Sequence, residues 1–499
     1  MRKWLPLVAI CLGTFMLLVD VTIVNVALPS MAMDLRTVFS SLQWVVDAYA
    51  LALAALLMGV GAIADLSGHK KLYLLGLVLF AVASIVCGFA PHAGILVAAR
   101  GLQGAGAAAM FATTFALING SYRGRDRGTA YGVWGAISGA AAALGPVLGG
   151  VLTEGISWRW IFFVNVPVSI VAILLSRRVL PRDPRSTRER IDIAGLLVFT
   201  ITIGSVTFAM IRAGESGWGS SSVLLLLGIG AIGLIAFILI ERRALHPLID
   251  LALFRQPTFV GVLLAGIVLY FSAYGYLPYT SIWMQTLLGL TPVQAGLASL
   301  PLPVASFAAS LIVGRFIAHA RAGSMIGIGL VLIGAGALLS ALLVTRGSSW
   351  PALLPGLLIA GIGVGLATPT LSATGAAAVG PARSGMAAGA VNTAGQLGFA
   401  FGVAILGSTF SAHAATALDV AGLPFPHDKA MLLAGGQAQT LIAQANHSEG
   451  FTDLAHTAFA SGLDGTLLVA GIAAVIAGLA VLRLIRAPRE EALHSRSHA

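Results

Sequence analysis

Apolar positions in this chain do not alternate with polar ones; they come in long unbroken blocks. Fourteen blocks stand near residues 5–28, 43–63, 72–90, 94–118, 129–152, 161–180, 192–212, 222–241, 258–286, 293–318, 323–345, 351–378, 385–411 and 464–486. Each approximates the roughly 20 apolar residues a helix needs to cross the hydrocarbon core of a bilayer. Only helices or closed barrels satisfy every backbone hydrogen bond there. The pattern therefore predicts an all-α polytopic membrane protein with 14 transmembrane helices. Three polar stretches interrupt it: an Arg-rich linker at 181–191, a long loop at 412–463 and a charged tail at 487–499. The tail has the composition of a segment that does not fold.

Composition agrees with this class. The chain is 58% hydrophobic and 10% charged, where a soluble domain is about 25% charged. Its 60 glycines suit helices that approach closely in lipid. Cys11 and Cys87 both lie in apolar blocks, and their number and spacing imply neither a disulfide framework nor a metal site. The first block follows Arg2 and Lys3 as in a signal peptide. It is too long for a signal core and lacks a clear small-x-small cleavage site, so it is read as a retained span.

The net charge of +10 would suit nucleic acid if it were clustered, but it is spread over the loops. With the N-terminus inside, 23 of the 29 Lys and Arg residues fall on cytoplasmic segments and 5 on outer ones, while Arg100 sits within a span. Such a bias places both termini in the cytoplasm and lays the basic charge along the inner leaflet. The expected partners are the lipid bilayer, small hydrophobic or cationic substrates and protons, with no nucleic acid; the chain is expected to be a monomer. His413, His427, His447 and His456 in the 412–463 segment are too scattered for metal ligation, so that segment reads as a solvated extracellular loop.

Charges within spans are costly and normally mark function. Asp20, Asp47 and Arg100 are the candidates. At about 1.5 Å per helical residue, they lie about 12, 6 and 9 Å below the outer ends of their blocks, so all three share one layer. An Arg there can pair with a carboxylate. Between Asp250 and Asp419 the chain contains no Asp or Glu. The ninth block concentrates aromatics: Tyr270, Tyr274, Tyr276, Tyr279 and Trp283 recur at helical spacing. Gly275 and Pro278 would let that helix break. The stripe is either an interfacial belt or a cavity wall that suits flat apolar cations. Tyr270, Tyr274 and Trp283 are candidate substrate contacts, with Asn25, Asn392 and Gln396 as polar ones.

Several motifs resemble those of the major facilitator superfamily. Residues 61–71 read Gly-Ala-Ile-Ala-Asp-Leu-Ser-Gly-His-Lys-Lys, similar to the signature loop G-x-L-A-D-R-x-G-R-K. Gly61, Asp65, Gly68, Lys70 and Lys71 match. Leu66 and His69 stand where Arg is usual, so a charged latch built here is weaker and partly pH-dependent through His69. Asp65 can hydrogen-bond a nearby helix N-terminus. The run Arg100-Gly-Leu-Gln-Gly-Ala-Gly resembles the fourth-helix motif R-x-x-Q-G-x-G. Gly135, Gly139, Gly145, Pro146, Gly149 and Gly150 resemble the fifth-helix antiporter motif, with its core G-P-x-x-G-G. Trp158-Arg-Trp-Ile-Phe-Phe-Val-Asn-Val-Pro, with the opening Asp20-Val-Thr-Ile-Val-Asn, resembles the fourteen-helix drug:proton antiporter branch. Trp44-Val-Val-Asp-Ala-Tyr resembles its quaternary-ammonium exporters.

That resemblance implies two six-helix bundles, built of inverted three-helix repeats, with two further helices inserted. The expected bounds are 1–180 for the first bundle, 181–257 for linkers and inserted helices, 258–486 for the second bundle with its extracellular loop 412–463, and 487–499 for the tail. An echo of the Asp65 loop is expected near Ile317-Ala-His319. The implied activity is multidrug efflux across the cell membrane, with the proton gradient as energy source and no cofactor. The carboxylate carrier would lie in the first bundle, and the lack of a tenth-span acid disfavours divalent cations. The alternative is an exporter dedicated to one self-made metabolite or antibiotic. A non-transporting sensor or anchor lacks a sensor domain to support it. Nor is an enzyme expected, since no nucleotide loop, triad or metal cluster is present.

Overall fold

A computed structural model of the chain describes residues 2–37, 39–181, 192–244, 247–316, 321–378, 384–438, 441–442 and 449–485. The 181–191 linker beyond Pro181 and Asp192, the Ile317-Ala-His319 echo and the 487–499 tail therefore lie outside the described residues.

The described residues form helices and no strands. In chain order they are α1 (Leu5–Asp34), α2 (Phe39–Ser67), α3 (His69–Gly88), α4 (Ala93–Ser121), α5 (Gly124–Gly155), α6 (Trp160–Phe163), α7 (Asn165–Val179), α8 (Ile193–Ser216) and α9 (Ser221–Glu241). After these come α10 (Pro257–Tyr274), α11 (Leu277–Thr286), α12 (Pro292–Ser299), α13 (Pro301–Phe316), α14 (Ala322–Leu343), α15 (Leu354–Ala378), α16 (Ser384–Val420), α17 (Pro426–Ala434) and α18 (Glu449–Leu484).

Among the described residues, thirteen helical stretches are long and apolar enough to cross a membrane. The remaining predicted run, 129–152, lies in α5, a helix of 32 residues.

Three spans are interrupted where the sequence weakens the backbone. Pro257–Thr286 breaks at Gly275 and Tyr276, just before Pro278, where the sequence allows it. Val293–Val313 breaks at Leu300 ahead of Pro301, and Trp160–Val179 breaks at Val164. A proline cannot donate to the turn behind it.

Helices α1–α5 and α7 pack on one another, as do α10, α13–α16 and α18; α8 and α9 pair and lean on α2 and α16. The two groups meet along α5 with α12 and α13, and along α2 and α4 with α16. The antiporter-motif glycines explain the α5 seam. A Cβ at Gly135 would lie 3.3 Å from Ser310 Oγ, one at Gly139 3.3 Å from the Pro303 carbonyl, and one at Gly150 2.3 Å from Val293. Gly145 faces α1 instead, where a Cβ would fall 1.8 Å from Thr22 Oγ1. Gly149 is buried in α5, and the helix continues through Pro146, whose side chain lies outside the described set.

One expectation is corrected. The described residues of 412–463 are mostly helical rather than a loop: α16 runs on to Val420, α17 follows it, and α18 begins at Glu449. Leu418, Ala430, Leu433, Ala458 and Phe459 bury there in one apolar cluster with Phe410 and Trp283. At 37 residues, α16 is about 55 Å long, well beyond the roughly 30 Å core. Both α16 and α18 therefore run past the ends of the apolar blocks that hydropathy marks.

Candidate functional site: a buried ion pair and a cavity between the helix groups

Asp20 lies in the middle of α1 and is fully buried (0% exposed). Arg100 and Gln103 stand one turn apart on α4, so both reach the same side. Arg100 Nη1 donates to Asp20 Oδ2 in a short ion pair. Gln103 Nε2 donates to Asp20 Oδ1 at 2.9 Å, and Asn165 Nδ2, from the first residue of α7, donates to the same oxygen at 2.8 Å. The break in the span at Val164 sets the start of α7, and with it Asn165, at this depth.

The guanidinium has further partners. Its Nε donates to the Val45 carbonyl at 2.8 Å and its Nη1 to Gln103 Oε1 at 2.8 Å, and it lies 4.3 Å over the Tyr49 ring. Gln103 also donates to Ser84 Oγ at 2.9 Å, and Tyr49 Oη donates to the Leu17 carbonyl at 3.3 Å. Arg100 is therefore a buried counter-ion and does not snorkel. Breaking a buried pair by removing one partner costs about 3–5 kcal/mol when the other charge is stranded. Here Arg100 also has two further oxygens and an aromatic face beside it, so its charge does not rest on Asp20 alone.

Asp47 lies at the same height as Val45 and Tyr49 but two residues from each. That is about 200° around the helix, so it is half-buried on the far side of α2 from Arg100. The layer expected from depth holds, but the structure brings together two of its three charges.

The signature loop crosses between the groups. Gly68 takes φ 104°, a conformation open to glycine, and this turns the chain from α2 into α3. Asp65 Oδ2 accepts the Met386 backbone N–H at 2.8 Å. Met386 is in the first turn of α16, where helix N–H groups lack partners. His69 Nε2 lies 3.3 Å from Asp65 Oδ1. Lys70 Nζ donates to the carbonyls of Arg177 and Leu180 at 3.0 and 2.7 Å, closing the last turn of α7. Gly61 is buried in α2 and Lys71 is exposed.

A cavity of about 10 Å³ lies between the groups, walled by Trp134, Tyr270, Thr368, Ser372 and Asn392 among others. That is about the room of one water. Asn392 Nδ2 and Thr368 Oγ1 are buried there with no hydrogen-bond partner among the described residues. Of the predicted contacts, Tyr270 and Asn392 meet at this cavity. The ring of Tyr274 lies 5.3 Å from that of Tyr270, tilted 42° to it. Gln396 is half-buried one turn beyond Asn392. Trp283 does not reach the cavity: with Tyr276 and Tyr279 it is buried in the apolar cluster around Phe410. The helix break at Gly275 separates the two halves of the aromatic stripe. The side chain of Asn25 lies outside the described set.

Several residues of this site fall outside the predicted set, among them Gln103, Asn165, Trp134, Thr368 and Ser372. Asn165 stood within a motif but gave no signal of its reach to Asp20. Trp134 has no charge or spacing to mark it.

Fold, motif spacing and buried ion pair define a membrane transporter. The sequence profile of the Major Facilitator Superfamily matches residues 10–403, and the chain belongs to that family. It is similar to the multidrug resistance protein Stp of Mycobacterium tuberculosis, 34% identical over 83% of this chain and 77% of that protein. It is also similar to the puromycin resistance protein pur8 of Streptomyces alboniger, 38% identical over 81% of each. Among solved structures, the human organic anion transporter MFSD10 (TETRAN) superposes with a TM-score of 0.60, at 15% identity, over 95% of this chain and 99% of that one. At that identity the likeness is one of fold.

Proposed function

We propose that this protein exports hydrophobic, often cationic drugs or toxic compounds across the cytoplasmic membrane in exchange for protons. Asp20 is the proton carrier. The observation that carries this reading is the buried Asp20–Arg100 pair with its two amide donors. It is a titratable group held at membrane depth, in a chain with no Asp or Glu from residue 251 to 418. Asp47, on the other face of α2, serves to attract or select cations. The 23-to-5 division of basic residues supports cytoplasmic termini, and with them a cytoplasmic Asp65 latch. The transporter acts as a monomer, with no cofactor beyond the gradient.

Inverted vesicles bearing an imposed pH gradient test this directly. Uptake of a panel of cationic and neutral dyes should follow the gradient and collapse with a protonophore. Uptake indifferent to the gradient would refute proton coupling.

A second reading, an exporter dedicated to one metabolite, draws on the unpartnered Asn392 amide and Thr368 hydroxyl. Fixed polar groups favour a compound that pairs with them. Transport of one compound from a broad panel would support it.

A further inference from the structure

Asp20 and the cavity do not touch. Asp20 is fully enclosed by α1, α4 and α7, whereas the cavity wall comes from α5, α10, α15 and α16. Exchange of substrate for proton then needs a connection between two separate places. One residue joins them. Among the described residues that wall the cavity, Trp134 alone belongs to the first helix group; the others lie on α10, α15 and α16. Its indole Nε1 donates to Thr14 Oγ1 at 3.1 Å, and both residues are buried. Thr14 lies on α1, six residues and about 9 Å along the axis from Asp20.

The surroundings of Trp134 make this contact directional. Its ring is wedged edge-on against Phe115, with centroids 4.9 Å apart, and it packs near Phe111 at 6.3 Å. The ring therefore cannot retreat into α4. A cavity of about 10 Å³ holds no drug, so a substrate that enters must push its walls apart. Pressure on Trp134 then passes to α1 through Thr14. Asp20 is held by bonds of 2.8 and 2.9 Å from two other helices, and a shift of about 1 Å takes such bonds past their useful length.

We propose that Trp134, through its hydrogen bond to Thr14, transmits occupancy of the cavity to the Asp20 network and thereby couples substrate binding to proton release. This rests on the reading of Asp20 as the carrier. The Asp20 network and the cavity are coupled because both bias the position of α1.

Tetraphenylphosphonium binding to the purified full-length protein, with proton release followed by an indicator dye, is the test. Wild-type protein should bind more weakly as pH falls and release protons on binding. Trp134→Phe keeps the ring and removes the donor. It should still bind the cation at high pH, with an affinity that reflects the altered cavity wall, yet lose the proton release and the pH dependence. Thr14→Val should do the same, Thr14→Ser should restore wild-type behaviour, and Trp134→Phe with Thr14→Val should be no worse than either alone. Full proton release in both Trp134→Phe and Thr14→Val, with Asp20→Asn releasing none, would overturn this link and leave the carrier assignment intact. A wild-type protein that binds without releasing protons, or does not bind, would overturn both.

Discussion

Asp65→Asn should loosen the closed contact between α2 and α16. In the wild type, Asp65 caps the first turn of α16 at 2.8 Å from the Met386 nitrogen. A hydrogen bond to a charged group contributes about 1.5–3 kcal/mol and one between neutral groups about 1 kcal/mol. Loss of the charge also removes the favourable helix-terminus interaction, about 0.3–1 kcal/mol. Asn keeps an acceptor oxygen, so the net loss is about 0.8–3 kcal/mol, or roughly 4- to 160-fold in the population of the opened form. Solvent screening reduces this little, because the Asp65 side chain is only 11% exposed. Alkylation of a cysteine at Ala54, with Cys11 and Cys87 replaced by alanine, measures it. Ala54 is 1% exposed and packs in one cluster with Met386 and Ala390 of α16. When opening and closing are fast, modification tracks the open population. A rate unchanged from the parent, or a lower one, would refute the capping argument.

Three further outcomes follow from the same geometry. Gly389→Ala should also speed alkylation at Ala54, because the new Cβ would lie 2.8 Å from the Met58 Cα and hold the two helices apart. Asn165→Ala should slow gradient-driven dye uptake into inverted vesicles, since it removes one of the two amide donors that hold Asp20 in place; an unchanged rate would show that Asn165 only packs. At the far end of α1, hydrogen bonds from Arg159 and Trp158 hold the Asp34 carboxyl below its usual range. A depressed carboxylate stabilises the fold above its unfolded pKa and loses that contribution as pH falls through the folded value. The Trp158 indole 15N resonance, whose N–H donates to Asp34 at 3.0 Å, should therefore stay constant through neutral pH and move only in acid. A transition near neutrality would contradict this.

Much of this was legible in the sequence because lipid enforces it. Length and hydropathy locate helices that must cross a membrane, and a charge within such a block stands out, as Asp20 and Arg100 did. The R-x-x-Q spacing placed Gln103 beside Arg100 because residues three apart share a helical face. What escaped depended on helix rotation or on chain outside the membrane. Asn165 and Asp20 are 145 positions apart, and no local pattern relates them. The Trp134–Thr14 bond spans 120 positions between two neutral residues. Asp47 shared the right depth but faced away, since depth along an axis says nothing of the angle around it. The aromatic stripe gave a face for Trp283 but not the neighbour that fills it. The 412–463 segment misled because hydropathy marks apolar blocks and not the points at which their helices end.

The central claim is that a single buried carboxylate, Asp20, carries the proton. The most direct test is pH-gradient-driven export of a neutral compound by Asp20→Asn in inverted vesicles, with expression and folding matched to wild type. A neutral substrate has no charge of its own to lose with the aspartate, so it isolates coupling from cation attraction. The account predicts that the gradient drives no accumulation in this variant while the wild type accumulates the compound. Gradient-driven accumulation that survives in Asp20→Asn would move the carrier role to another acid and contradict the account.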